Sequence, residues 1–435
     1  MNLKGGALII GSLFWQDYRD NKNDSKDKKR KEWRDKHLDM TSAKDVVVPI
    51  RYGRFSSKDG GTYTMVFDNS LNRDQYGVAK AVGFEKSDLD VKDIVNIVKN
   101  LSNVEGGDHP NFIKGSSAWC VCGILFNPEL SDEDKNSLRD RWEIEMKKNG
   151  DGYKVFINKP ELYSMTKSGE LDIPWPEGLD DLDFLLATST RPRDEKGDNR
   201  IIPPKEIAEY IPNREYVIPN IMSGIRTFQD EEVLNRYLKA LSHDWKKDDI
   251  GEKGLIAFEH YYNLEKFYKN LPNFKEVVEN AGNAVVPNNT TGCDNNKTMF
   301  AGHQNRVGKK RCQDGAELLL QAPFYEALEK AKSFEDIFEI TEEVKTKVFG
   351  LGDLWSYDTA QRIGLAKSYY PKAVYLQTGT LLGAKELVKR GLVDGKALRG
   401  QRSVPQTVFS KVFRDLPCYM IENLLCVGHN QKWFT

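Results

Sequence analysis

Apolar and polar positions are patterned differently in the two parts of this chain. In the first part, short apolar runs dominate. Ala7 to Ile10 is a continuous apolar stretch, short enough for a buried strand. Val46 to Tyr52 and Tyr63 to Asp68 also read as strands, joined by a hairpin-like signal at Asp59-Gly60-Gly61. Gly77 to Phe84, Ala118 to Phe126, Tyr153 to Ile157 and Phe184 to Ala187 complete the expected strands. Two segments have helical spacing instead. One carries Val91, Ile94, Val95, Ile97, Val98 and Leu101; the other runs from Ser131, a good N-cap, to Lys148. Asp17 to Asp39 is polar and lysine-rich, which predicts a surface loop with some helix.

From Asp230 onward the period changes. Val233 to Leu241, Gly254 to Leu271, Phe274 to Ala281, Ala316 to Lys332 and Phe334 to Val348 all read as helices. The expected architecture is a mixed α/β domain over 1–228 and an all-α domain over 229–435. Val285 to Cys312 is polar and without periodicity, and a loop of that length inside a helical domain is usually functional or disordered.

The most informative stretch is Val348-Phe349-Gly350-Leu351-Gly352-Asp353-Leu354, which joins two helical patterns. Gly350 and Gly352 permit a tight turn and close approach of backbone N–H groups to another molecule. The second helix then presents an N-terminus suited to an anion, such as a nucleic-acid phosphate. The same glycines also fit a plain turn between packed helices. Beyond the turn, Asp358 and Arg362 lie on the face opposite Tyr357, Ala360 and Ile363, and Gln377 begins a second glycine-bearing turn. Upstream, His303, Gln304, Arg306, Lys309, Lys310 and Arg311 crowd cations beside an amide and an imidazole. Cations neutralise phosphates, and the other two groups can read base edges or sugars.

Gly350-Leu351-Gly352, its flanking helices and Pro371 to Tyr375 resemble the helix–hairpin–helix superfamily of base-excision DNA glycosylases. The resemblance implies a helix–hairpin–helix C-terminal domain that grips the DNA backbone. It also implies base excision or strand cleavage, in genome maintenance or anti-phage defence. Bifunctional members carry a catalytic lysine two positions after the second glycine; here that position is Leu354. The family's essential aspartate falls where this chain has Ala373 to Gln377, which contains no acid. Asp358 is therefore the candidate catalytic acid.

In the first part, Gly11-Ser12 follows a strand directly, and its amides suit a carboxylate or phosphate. The segment resembles the opening of gamma-glutamylcyclotransferase-like proteins, with Ile10 in place of their tyrosine. By that resemblance the general base would be Glu105, before Gly106-Gly107. Arg51 and Arg54, with Lys58 beyond them, suit an anionic ligand, although strand alternation separates the two arginines unless the strand ends or bulges at Gly53. Arg191-Pro192-Arg193 offers a second cationic tip.

Composition narrows the picture. The 435 residues carry 30% charged side chains and a net charge of −1, so any nucleic-acid contact must use a local patch. The six cysteines are sparse and lie largely in apolar runs, which fits free thiols in a reducing compartment. Cys418, Cys426 and His429, and likewise Cys293, His303 and Cys312, lack the paired spacing of zinc sites, so no metal is expected. No motif calls for a cofactor. No signal peptide or membrane span is read, and the cytoplasm is the expected location. The expected partners are DNA and, given Trp433-Phe434 at the chain end, a protein. Alternatives are a small-molecule enzyme at the N-terminal turn, or a non-catalytic subunit of a larger complex.

Overall fold

The computed structural model describes residues 2–16, 25–57, 61–105, 111–211, 216–239, 250–287, 298–410, 413 and 416–434. Lys58, Asp59, Gly60, Gly106, Gly107 and Cys293, singled out above, lie outside the described residues, as does part of the lysine-rich insertion. The chain folds as two compact units, Met1–Arg236 and Tyr237–Thr435.

In the first unit the elements run β1 (Gly5–Ile9), α1 (Ser25–His37), β2 (Lys44–Val48), β3 (Ile50–Ser56), β4 (Thr62–Phe67), β5 (Gly77–Gly83), α2 (Val91–Val104), β6 (Ile113–Lys114), β7 (Cys120–Phe126), α3 (Asp132–Lys147), α4 (Asp151–Asn158), β8 (Phe184–Thr190), α5 (Pro204–Tyr210), α6 (Val217–Met222) and α7 (Asp230–Leu238), whose end passes the unit boundary. Six strands form a mixed sheet in the order β2-β5-β1-β8-β7-β6. The β1–β8 pair is parallel and the rest are antiparallel. Central β1 is buried along its whole length, which is why it reads as a continuous apolar run rather than an alternating one.

β3 and β4 form a separate hairpin. The single strand expected over Val46 to Tyr52 is divided at Pro49, which has no N–H to donate to a ladder. Tyr153 to Ile157, expected as a strand, is helical within α4. The run is too short for its period to decide, and Asp151 in the first turn favours the helix. The polar insertion ends in a packed helix. Trp33 and Arg34 of α1 are buried, and Arg34 Nη1 donates to the carbonyls of Leu13 at 2.7 Å and Gln16 at 3.0 Å. In α3, Ser131 caps the N–H of Asp134 while Leu138, Trp142 and Met146 bury one face.

The second unit continues with α8 (Ile250–Lys269), α9 (Phe274–Gly282), β9 (Val285–Pro287), β10 (Thr298–Phe300), α10 (Lys309–Leu319), α11 (Phe324–Lys330), α12 (Phe334–Lys347), α13 (Asp353–Lys367), β11 (Val374–Tyr375), α14 (Thr378–Lys389), β12 (Ser403–Val404) and α15 (Cys418–Asn430). It is not all-α as expected: β9–β10 and β11–β12 are short antiparallel pairs. Two- and three-residue strands are too short to leave a period in the sequence. The helix expected from Ala316 to Lys332 is two helices, because Pro323 interrupts the backbone hydrogen bonding.

α13 is the core helix of this unit. Trp355, Ala360, Ile363 and Leu365 are buried, and Trp355 Nε1 donates to the Gly282 carbonyl at 2.9 Å. Gly315 of α10 faces that indole so closely that an added Cβ would lie 2.5 Å from it. Phe334, Phe338, Tyr357 and Tyr375 pack ring against ring beside it, at centroid separations of 4.9 to 5.9 Å. Tyr357 and Tyr375 are thus core aromatics.

Candidate functional site

The side chains that converge best are on α13 and on the turn before α10. Asp358 and Arg362 sit one helical turn apart, so they share a face, with Arg362 Nη2 3.7 Å from Asp358 Oδ2. Arg362 is almost fully buried and also donates to the Ala281 carbonyl at 3.4 Å, near the C-terminal end of α9, where a cation is favoured. Residues Gly302–Arg306 form a 3₁₀ turn. That turn brings His303 Nε2 to 2.6 Å from Asp358 Oδ2 and lets Gln304 Nε2 donate to the same oxygen at 2.6 Å. Gln304 is buried, while the His303 side chain is about half exposed.

Three groups therefore address Oδ2, and among the described residues none donates to Oδ1. Burial pushes the Asp358 carboxyl up. The hydrogen bond from His303, the charge of Arg362 and the hydrogen bond from Gln304 outweigh it and hold the group below the ordinary carboxylate range. His260 of α8 is the neighbour that sequence reasoning missed. Burial, then the charges of His303 and Arg362, push its imidazole down, which keeps it neutral. A single histidine in a helix has no local signal to distinguish it.

The glycine turn is built as expected in part. Gly350 has φ +89°, in the left-handed region, and Phe349 beside it is almost fully exposed. Arg311 lies across Gly350: an added Cβ would be 2.6 Å from its Nε. Gly352 is the N-cap of α13 with extended backbone and open space around it. Asp353 occupies the first turn of α13, paired with Lys345 at 2.6 Å and 3.6 Å from Arg402. A carboxylate thus already answers the helix dipole there. The cations lie instead across the turn. Lys309, Lys310 and Arg311 form the start of α10, where no acid occupies the first turn, and Arg306 precedes them, exposed. Lys309 lies over the Phe300 ring and Lys310 pairs with Asp314. Gln377 stands at the N-cap of α14 and makes no hydrogen bond to the Asp358 group.

This geometry separates the two glycines. Gly350→Ala is expected to cost about 1–2 kcal/mol of stability, because a side chain there must adopt left-handed backbone and displace Arg311. Gly352→Ser is expected to be neutral or stabilising by about a few tenths of a kcal/mol, since serine improves slightly on glycine at an N-cap that has room for it. Urea unfolding of both variants checks this; equal losses would mean that the turn is not formed this way.

The N-terminal candidates are largely engaged in structure. Gly53 is the extra residue of a bulge between Tyr52 and Arg54, which sets Arg51 opposite Val66 and Arg54 opposite Thr64, on the same side of the hairpin. The guanidinium groups nevertheless take different partners. Arg51 is buried, with Nε 2.5 Å from Asp68 Oδ2, and it also donates to the Arg200 carbonyl at 3.0 Å and to Asn199. It is a structural cation, which corrects its reading as an anion ligand. Ser12 lies in a turn whose neighbouring carbonyls hold Arg34 and whose Gly11 packs against Tyr216, and it does not meet either arginine. Glu105 ends α2 and pairs with Arg30 at 3.3 Å, while Arg30 also donates to Gln16. One oxygen of Glu105 is thus engaged by Arg30, and the other, Oε1, is buried without a hydrogen-bond partner among the described residues.

Among the described residues no three His, Cys, Asp or Glu side chains gather as metal ligands. No described helix is long and apolar enough to cross a membrane. No protein-family model matches the chain, and no similar curated protein or solved structure was found.

Proposed function

We propose that the second unit binds DNA and hydrolyses a bond in it, the N-glycosidic bond being the one its chemistry suits best. The observation that carries this reading is the convergence of His303, Gln304 and Arg362 on one oxygen of Asp358, with no donor to the other oxygen among the described residues. An ionised carboxylate with an open oxygen stabilises the positive charge that develops on a sugar as its glycosidic bond breaks. The half-exposed imidazole, paired with Asp358 through Nε2, is the group placed to take a proton from water when it is neutral. Arg306, Lys309, Lys310 and Arg311 supply the cations that face phosphates, and Arg311 lies across Gly350.

The test is duplex-DNA binding by the full chain across a salt series, with released bases detected by mass spectrometry. Changing the four cations to alanine is expected to flatten the dependence of log affinity on log salt by about 0.9 for each phosphate that is no longer neutralised. His303→Ala is expected to retain binding and lose base release. Absence of duplex binding by the unaltered protein at low salt would overturn the reading. An unaltered slope in the quadruple variant would remove the cation row from the interface.

A further inference from the structure

Arg54, Arg191 and Arg193 gather three cations at one end of the N-terminal unit's sheet. The backbone puts them there. Arg193 N donates to the Gly53 carbonyl at 2.9 Å and Phe55 N donates to the Arg193 carbonyl at 2.7 Å, so Arg54 and Arg193 are ladder neighbours. Arg191 N donates to the Trp119 carbonyl at 3.3 Å, and its own carbonyl accepts from Arg54 Nη1 at 3.0 Å. In this extended segment Pro192 is buried while Arg191 and Arg193 are exposed, so both side chains leave on one side. The Arg54 guanidinium lies over the Trp119 ring at 5.4 Å. Trp119 itself is presented by Ala118, which holds φ +47°. A non-glycine residue in that region is strained backbone that the surroundings must maintain.

The charges are not balanced from within. Among the described residues no carboxylate pairs with Arg54, Arg191 or Arg193. The acids that follow in sequence are engaged elsewhere: Asp194 pairs with Arg200 at 2.6 Å, and Glu195 accepts from Tyr210 Oη at 2.9 Å. Burial, then the charge of Arg193, lowers the Arg54 guanidinium to about 10; Cys120 and Tyr163 oppose the shift, and Arg191 adds the least to it. Three guanidinium groups, one of them fixed by stacking and partly desolvated, repel one another unless an anion lies between them. Planar forks of this kind match the oxygens of a phosphate.

We propose that Arg54, Arg191 and Arg193 form a phosphate-binding site in the N-terminal unit, with Arg54 as the fixed floor and the other two as arms that close on the anion. The ligand is a phosphate ester, borne either by a nucleic-acid strand or by a free nucleotide. The site shares no residue with the Asp358 group and does not depend on the function proposed for it.

The two sources are separated by titrating the full chain with a 5′-phosphorylated single-stranded oligonucleotide and, separately, with a nucleoside triphosphate. Arg191→Ala combined with Arg193→Ala removes two exposed side chains that make no hydrogen bond or ion pair among the described residues, so folding is preserved. The double variant is expected to bind the true ligand at least about tenfold more weakly. With the oligonucleotide its salt slope should fall by about 0.7 for each phosphate that is no longer neutralised. Arg191→Lys combined with Arg193→Lys should be intermediate, since it keeps charge and loses the fork. Weakening with both probes identifies the phosphate itself as the ligand, and weakening with the oligonucleotide alone identifies the strand. Asp358→Asn should leave the triphosphate titration unchanged, which separates this site from the second unit. Unchanged affinity of the double variant for both probes, or no binding of either probe by the unaltered protein, would overturn the proposal.

Discussion

Asp358→Ala is expected to destabilise the protein by about 3–5 kcal/mol, the cost of leaving a buried charge without its partner. The charge left behind is Arg362, almost fully buried on the same helix, whose other neutralising contact is the Ala281 carbonyl at 3.4 Å. Gln304, itself buried, loses its best acceptor in the same change. His303→Ala should cost far less, within about 1 kcal/mol, because that side chain is half exposed and water takes its place at the carboxylate. Combining Asp358→Ala with Arg362→Leu should recover much of the stability, since the orphaned charge goes with its partner. The acid limb gives a second check. The folded Asp358 carboxyl is held below the ordinary value of 3.8, so its contribution is present above that pH and lost as the pH falls through the folded value. Variants lacking Asp358 should show a shallower loss below pH 4. Denaturant midpoints measured from pH 3 to 7 decide the matter; an Asp358→Ala cost under about 1 kcal/mol would mean that the carboxylate does not hold Arg362.

How much of this was legible beforehand follows from the range of each interaction. Asp358 and Arg362 stand four apart on a helix, so their pairing is visible in the sequence. His303 and Gln304 stand out by residue type, yet nothing local says that they fold back onto Asp358, 55 and 54 positions away. Arg51 looks free in the sequence because its partner, Asp68, lies across a hairpin. A strand end or a bulge at Gly53 is the condition under which Arg51 and Arg54 share a side. The bulge exists, but Arg51 is already bound and Arg54 turns toward Arg191 instead. Central β1 and helices with clear caps, such as α3 and α12, read correctly because period and capping act within a few residues. The short strands of the second unit and the helix at Tyr153 do not, since tertiary contact decides segments of that length.

Glu422→Gln is expected to make the protein more stable at alkaline pH and to remove most of a slope seen in the unaltered chain. Glu422 of α15 is buried, where Oε1 accepts from Tyr375 N at 2.7 Å and Oε2 accepts from Tyr357 Oη. Burial raises its carboxyl from 4.5 to about 8; the hydrogen bonds from Tyr357 and Tyr375 oppose the shift and the nearby charge of Asp358 adds to it. Between those two values the folded protein holds a proton that the unfolded chain has released. Stability therefore falls as the pH rises through this window, by up to about 1.4 kcal/mol per pH unit, and the loss is complete above about 8. Glutamine keeps the shape and does not ionise. Its amide can donate to Tyr357 Oη, because a hydroxyl serves as donor or acceptor. At pH 9 the variant should exceed the unaltered protein by about 3–5 kcal/mol, with the two converging near pH 4.5. Asp358→Asn should shift the window toward lower pH, since it removes the charge that adds to the rise, and this links the core carboxyl to the candidate site. Urea midpoints collected from pH 4 to 9 test both statements. A slope that survives unchanged in Glu422→Gln would assign it to another group and leave Glu422 ionised in the core.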